Sequence, residues 1–196
     1  MSRSASVERN TAETRIKLKL DLDGTGVSKI ETGIGFFDHM LTLFSRHGLF
    51  DLEVLAKGDL NVDFHHTVED TGIVLGQAFL KALGDKKGIV RYGVSHLPMD
   101  ETLARVVVDL GGRFYLEYRA PAAVEPIGGN FSFQLVEEFL RAFAANASIN
   151  VHAEILYGRD AHHMAEAVFK GLARALDAAT RIDERVQGVP STKGVL

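Results

Sequence analysis

Eight histidines stand in this chain of 196 residues, and four of them form adjacent pairs, His65-His66 and His162-His163. A glutamate follows each pair at the same spacing, Glu69 and Glu166, so the motif HHxxE occurs twice. On a helix the first His and the Glu are at i and i+4, and the second His and the Glu at i and i+3, so each combination shares a face. The two histidines of a pair point about 100° apart. One such helix can therefore offer one imidazole to each of two metal ions. The chain has no cysteine, which excludes disulfides, thiolate metal sites and cysteine nucleophiles. Any metal must be held by nitrogen and oxygen. Imidazole with carboxylate suits manganese, iron, nickel or zinc, and a carboxylate-rich octahedral shell favours manganese. A single HHxxE is also what an ordinary helix start looks like, with an acid near the positive dipole end. Two copies at equivalent places in a repeat favour metal. The spacing differs from HExxH, in which the i, i+4 histidines build one zinc site.

The repeat extends beyond the histidine pairs. Glu13-Thr14, Asp21-Leu22 and Gly24 recur at identical spacing as Glu101-Thr102, Asp109-Leu110 and Gly112. After each HHxxE the apolar positions match as well: Leu75 with Leu172, Ala78 with Ala175, Ala82 with Ala179. Several shared features in one order indicate a duplicated unit, residues 1–92 and 93–183, followed by a tail, 184–196. Ile16, Leu18, Leu20 and Leu22 alternate with polar residues, as in a half-buried strand. Val106 to Val108 continue this in the second unit, and Phe114 to Tyr118, after Gly111-Gly112, reads as a hairpin partner. Residues 36–47 and 133–145 carry helical apolar spacing, as do 65–83 and 162–180. Each unit is expected to be α+β, a mostly antiparallel four-stranded sheet with two helices on one face, the two units packing through their helices.

The remaining histidines carry weaker signals. His39 sits where the Gly-rich backbone Gly33-Ile34-Gly35 enters a helix, a good place for a ligand or an anion. His47, two turns on, faces roughly the same side; a functional role and a plain helix C-terminal role are equally supported. His152, in a strand over 150–157, and His96, in a loop before Pro98, read as surface or structural residues. The bulk numbers are ordinary: 46% hydrophobic, 24% charged, net charge −4. That balance argues for a folded domain and against nucleic-acid binding, which usually needs a basic face. No apolar run approaches the roughly 20 residues that span a membrane. The polar start, Met1 to Asn10, has no apolar signal core, so a cytoplasmic location without membrane attachment is expected.

Five stretches together resemble one family over nearly the whole chain. They are Glu8-Arg9-Asn10-Thr11-Ala12-Glu13-Thr14, GIGFFDHMLTLFSRHGLFDL from Gly33, DFHHTVEDTGIVLGQA from Asp63, LYGRDAHHMAEAVFKGLARAL from Leu156, and PSTKGVL from Pro190. The chain resembles the imidazoleglycerol-phosphate dehydratases. The resemblance implies the ribosomal protein S5 domain 2-like fold in each unit. It also implies two Mn2+ ions per active site, held by His39, His65, His66, Glu69, His162, His163 and Glu166. A further ligand in many members is a His standing 24 positions ahead of the first His of the second pair; Glu138 occupies that place here. The chain departs from the pattern there. A carboxylate can replace imidazole at manganese; Glu137 or a water are the alternatives.

By the same resemblance Glu13, His47, Arg91, Arg113, Lys170, Ser191 and Lys193 contact the substrate, together with the metal-binding histidines and Glu69. A phosphate needs charge-assisted donors, and an arginine fork matches its oxygens. The implied reaction removes water from D-erythro-imidazoleglycerol phosphate to give imidazole acetol phosphate in histidine biosynthesis. Metal bound to the ring would make it electron-rich enough to expel the hydroxyl through an imidazolate or diazafulvene-like intermediate. Glu13 and Glu166, and then Glu69, are the candidates for acid and base. Members of the family assemble into homo-oligomers of about 24 subunits with shared sites. Two other readings fit fewer residues. A dinuclear metal hydrolase leaves the Gly33 and Pro190 stretches unexplained, and a metal-storage protein leaves Glu13 and the Arg and Lys set unexplained.

Overall fold

The structure, a computed structural model, describes residues 3–121, 127–128 and 130–196. The first unit runs β1 (Ser4–Asn10), β2 (Thr14–Asp21), β3 (Ser28–Glu31), α1 (Gly35–Gly48), β4 (Asp51–Gly58) and α2 (His65–Leu83). The second repeats this order with β5 (Tyr92–Met99), β6 (Thr102–Asp109), β7 (Tyr115–Arg119), α3 (Gln134–Ala147), β8 (Asn150–Tyr157) and α4 (Ala161–Thr180). Each unit forms a four-stranded sheet, in the orders β1-β2-β4-β3 and β5-β6-β8-β7. In each, two pairings are antiparallel and the last, β3 with β4 or β7 with β8, is parallel. The chain is thus α+β and duplicated.

Alternation in β2 places Ile16, Leu18 and Leu20 in the core and the intervening Arg15, Lys17 and Lys19 in solvent. The inner faces of the two sheets hold the four helices between them. Helices pair across the units: α1 packs on α4, and α2 on α3. Phenylalanines knit the two halves into one core, with Phe37 against Phe139 at 5.7 Å between ring centroids, Phe139 against Phe169 at 4.8 Å, and Phe79 against Phe143 at 5.6 Å. Close approach of α2 to α3 depends on Gly72 and Gly76: a Cβ on Gly76 would stand 2.5 Å from the Phe143 carbonyl oxygen. No helix among the described residues is long and apolar enough to cross a membrane.

Two local expectations are corrected. Residues 114–118 do not form a hairpin with the preceding strand. β6 already has β5 on one side and β8 on the other, so no edge is open; β7 instead lies parallel to β8, reached through the α3 crossover. His96 is not in a loop but in β5, opposite Arg105. Pro98 is tolerated there because β5 is an edge strand, where a missing N–H need not break the ladder.

Candidate metal and phosphate sites

Asp160 caps α4, its carboxylate accepting the backbone N–H groups of His162 and His163 at 2.7 and 3.2 Å. This cap starts the helix so that HHxxE occupies its first two turns. Glu166 points into the core with 7% of its side chain exposed. Its Oε1 meets two imidazoles, His162 Nε2 at 3.0 Å from the same helix and His39 Nε2 at 2.9 Å from α1. Its Oε2 accepts from Lys170 Nζ, one turn further along α4. Burial pushes the Glu166 carboxyl up, but the bonds from Lys170, His39 and His162 outweigh it and hold the group at about 2. Glu166 is therefore ionised at neutral pH. The ligand atoms of His39, His162 and Glu166 all lie within 4.8 Å of one another. Two imidazole nitrogens and a carboxylate oxygen, with no thiolate, fit a hard or borderline divalent cation.

The other predicted ligands do not close into such a group within one chain, among the described residues. At the start of α2, His65 Nε2 lies 3.6 Å from Glu69 Oε2. His66 turns Nδ1 to Asp59 at 3.0 Å and Nε2 toward Glu13 at 3.7 Å. In α4, His163 Nδ1 meets Glu101 Oε2 at 2.7 Å. The rings within each pair are nearly perpendicular, at 84° and 83°, and face different partners. Glu138 is half-buried in α3 and makes no hydrogen bond or ion pair among the described residues. Its place is nonetheless informative. His39 is the fifth residue of α1 and Glu138 the fifth of α3, and both helices end at a left-handed residue, Leu49 and Ser148. Glu138 is thus the duplicate counterpart of His39, on the helix that packs against α2 as α1 packs against α4.

His47 lies at the end of α1, half-buried; burial, then the nearby Lys170 and Arg174 charges, push its pKa down, so it is mainly neutral at pH 7. Arg91, Arg113, Ser191 and Lys193 line one open cleft of about 550 Å³. Arg91 is held there by both Asp109 oxygens, at 2.7 and 3.1 Å, and donates to the Pro190 carbonyl at 2.8 Å, which ties the tail to the cleft. The structure therefore gathers four predicted phosphate contacts, but far from the histidines. The Arg91 backbone N–H bonds to the Ala179 carbonyl near the end of α4, whereas His162 begins that helix. About 17 residues of helix separate the two, roughly 25 Å at about 1.5 Å each.

Three residues of this region were not found from sequence: Asp59, Glu101 and Asp109. Glu101 carried a usable signal, since Glu101-Thr102 is the repeat counterpart of Glu13-Thr14. Asp109 likewise repeats Asp21, without a hint of its arginine. Asp59 had no signal.

A family model described as imidazoleglycerol-phosphate dehydratase matches residues 32–176. Curated relatives of that name include proteins of Trichlorobacter lovleyi, 60% identical over 196 residues and covering all of both chains, and of Thermoanaerobacter pseudethanolicus, 61% identical over 194 residues, 99% of this chain and 100% of the relative. The crystal structure of imidazoleglycerol-phosphate dehydratase from Staphylococcus aureus superposes with a TM-score of 0.83 at 43% identity, covering 92% of this chain and 99% of that one. That of IGPD from Pyrococcus furiosus gives 0.82 at 35% identity, covering 97% and 100%. Full-length matches at such identity, on the same duplicated α+β fold, show that the chain belongs to the imidazoleglycerol-phosphate dehydratase family of hydro-lyases.

Proposed function

We propose that the chain dehydrates D-erythro-imidazoleglycerol phosphate to imidazole acetol phosphate in cytoplasmic histidine biosynthesis, using two Mn2+ ions and sites shared between copies of a large homo-oligomer of about 24 subunits. The observation that carries the chemistry is the convergence of His39, His162 and an ionised, buried Glu166. With His65, His66, Glu69, His163 and Glu138, this set would hold two manganese ions whose charge withdraws electrons from the substrate ring and favours its deprotonation.

The chain's own residues divide the remaining work. Glu166 is fully engaged by His39, His162 and Lys170, which suits a ligand and leaves it poorly placed as a mobile base. Glu69 leans on His65. Glu13 is half exposed, and its carboxylate lies 3.7 Å from His66 Nε2, beyond a hydrogen bond. Glu13 is therefore the group free to move the proton on carbon 2. Neutral His47 and Lys170 stand near Glu166 as substrate contacts, and Arg91, Arg113, Ser191 and Lys193 grip the phosphate.

Geometry supports the sharing of sites. Five bonds of about 1.5 Å link the substrate's ring to its phosphorus, so the two lie at most about 8 Å apart. One chain's cleft and its His39–His162–Glu166 group cannot meet across roughly 25 Å of helix. A second copy must bring its cleft to the first copy's metal ligands. The test is formation of the ketone product from imidazoleglycerol phosphate, run beside phosphate release from model phosphoesters. Phosphate release without ketone would replace the dehydratase by a dinuclear hydrolase.

A further inference from the structure

The second histidine of each pair is gripped from behind by a carboxylate that is not itself among the metal ligands. His163 turns Nδ1 to Glu101 Oε2 at 2.7 Å, and His66 turns Nδ1 to both Asp59 oxygens, at 3.0 and 3.2 Å. A carboxylate can only accept, so each Nδ1 must carry a proton, and in the neutral ring Nε2 is then the bare nitrogen. On the Nε2 side the nearest carboxylates, Asp100 for His163 and Glu13 for His66, stand at 3.8 and 3.7 Å, outside hydrogen-bond range. Both rings are thus set in the tautomer that presents Nε2 to an incoming ion.

The two grips have different origins. Asp59 belongs to the connection between β4 and α2, whereas Glu101 lies in the turn between β5 and β6 and is the repeat counterpart of Glu13. One glutamate position of the duplication has therefore taken two tasks. Glu13 faces the open Nε2 side of its histidine, and Glu101 closes the Nδ1 side of the other. Glu101 is also the more constrained. Its Oε1 accepts the backbone N–H groups of Arg159 and Asp160 at 3.1 and 2.9 Å, just ahead of α4, leaving only Oε2 for His163. Asp59 shows no other side-chain hydrogen bond among the described residues.

We propose that Glu101 and Asp59 are positioning residues that fix the tautomers of His163 and His66 so that Nε2 of each is available to metal, and that Glu101 cannot be replaced by its amide. This rests on the reading of His66 and His163 as ligands. In Glu101→Gln the amide oxygen must stay with the two backbone N–H donors, because an NH2 there would meet donor with donor. The NH2 then faces His163 Nδ1, which must become the acceptor, and the ring proton moves to Nε2. In Asp59→Asn no such constraint applies; the amide turns its oxygen to His66 Nδ1 and the tautomer survives.

The test compares Mn2+ affinity, by competition with a chromogenic chelator, in the assembled wild type, Glu101→Gln, Asp59→Asn and His163→Ala. Solid-state 15N spectra of histidine-labelled, metal-stripped protein, taken at a pH alkaline enough for neutral rings, report the tautomers. Expected are a loss of about 10–100-fold in affinity for Glu101→Gln, a protonated His163 Nε2 in that variant, and Asp59→Asn close to wild type. A misfolding Glu101→Gln would still leave the wild-type spectrum decisive: a protonated Nε2 on His66 and His163 there overturns the proposal. Weakened binding in His163→Ala with unchanged affinity and tautomer in Glu101→Gln overturns the positioning role alone. Unchanged Mn2+ binding in His163→Ala overturns the ligand reading beneath it as well.

Discussion

Two variants impaired at low substrate should rescue each other if sites are shared. His162→Ala removes an imidazole from the metal group and leaves the cleft around Arg113 intact; Arg113→Ala does the reverse. His162 opens α4, whereas the cleft that Arg113 lines with Arg91 lies by the other end of that helix, roughly 25 Å along it. A substrate whose ring and phosphorus are at most about 8 Å apart cannot touch both in one chain. Suppose the variants are dissociated, mixed in equal amounts and reassembled. A site drawing its metal group from one copy and its cleft from another then has an even chance of an intact half on each side, so about a quarter of the sites recover in a symmetric assembly with random exchange. The assay is dehydratase turnover per chain at substrate well below the wild-type KM, measured on the mixture and on each variant reassembled alone. Recovery near a quarter supports the shared site. Turnover of the mixture no higher than the mean of the two variants, with mixed particles verified by mass, would refute the 25 Å argument and place a complete site within one chain.

Glu138→Ala should lower manganese content and turnover together, while Glu138→His, which restores the residue type of its counterpart His39, should retain both; metal analysis with parallel kinetics checks this. Arg113→Ala or Lys193→Ala should raise KM by about 10–100-fold, the worth of one charge-assisted hydrogen bond at about 1.5–3 kcal/mol, with manganese per chain unchanged. Loss of metal at unchanged KM would show the cleft to be misassigned. In metal-stripped protein Glu166 should make stability pH-dependent. Its folded pKa is depressed from 4.5 to about 2, so its contribution, roughly 3 kcal/mol by linkage, is present above pH 4.5 and is lost as pH falls toward 2. Denaturation of wild type and Glu166→Gln at several pH values should show a gap that narrows across that window; a gap independent of pH would contradict the assignment.

Much of this architecture was legible in the chain because it depends on periodicity and repetition. The alternation of Ile16, Leu18 and Leu20 specified β2, and the doubled HHxxE located the starts of α2 and α4 to within a residue. Local pattern could not show pairing partners. Tyr115 to Tyr118 look the same whether the strand joins β6 or β8, and only the occupied edges of β6 decide. Pro98 masked a strand because its tolerance depends on β5 being an edge. At the candidate site, residue types pointed to His39, His162 and Glu166, but not to the distance between that group and the Arg91 cleft. Linear order places Arg91 between the histidine pairs, whereas the fold sends it to the far end of α4. Asp59 and Glu101 escaped notice for a related reason. Each acts on a histidine through a turn, and no spacing rule marks a carboxylate that orients a ring from behind.

The most direct measurement of the central claim is a titration of metal-stripped protein with Mn2+, following dehydration of imidazoleglycerol phosphate against bound manganese per chain. Activity should be absent without metal, rise with occupancy, and level off at two ions per chain. Full turnover in verified metal-free protein, or two bound ions with no ketone formed, would contradict the account.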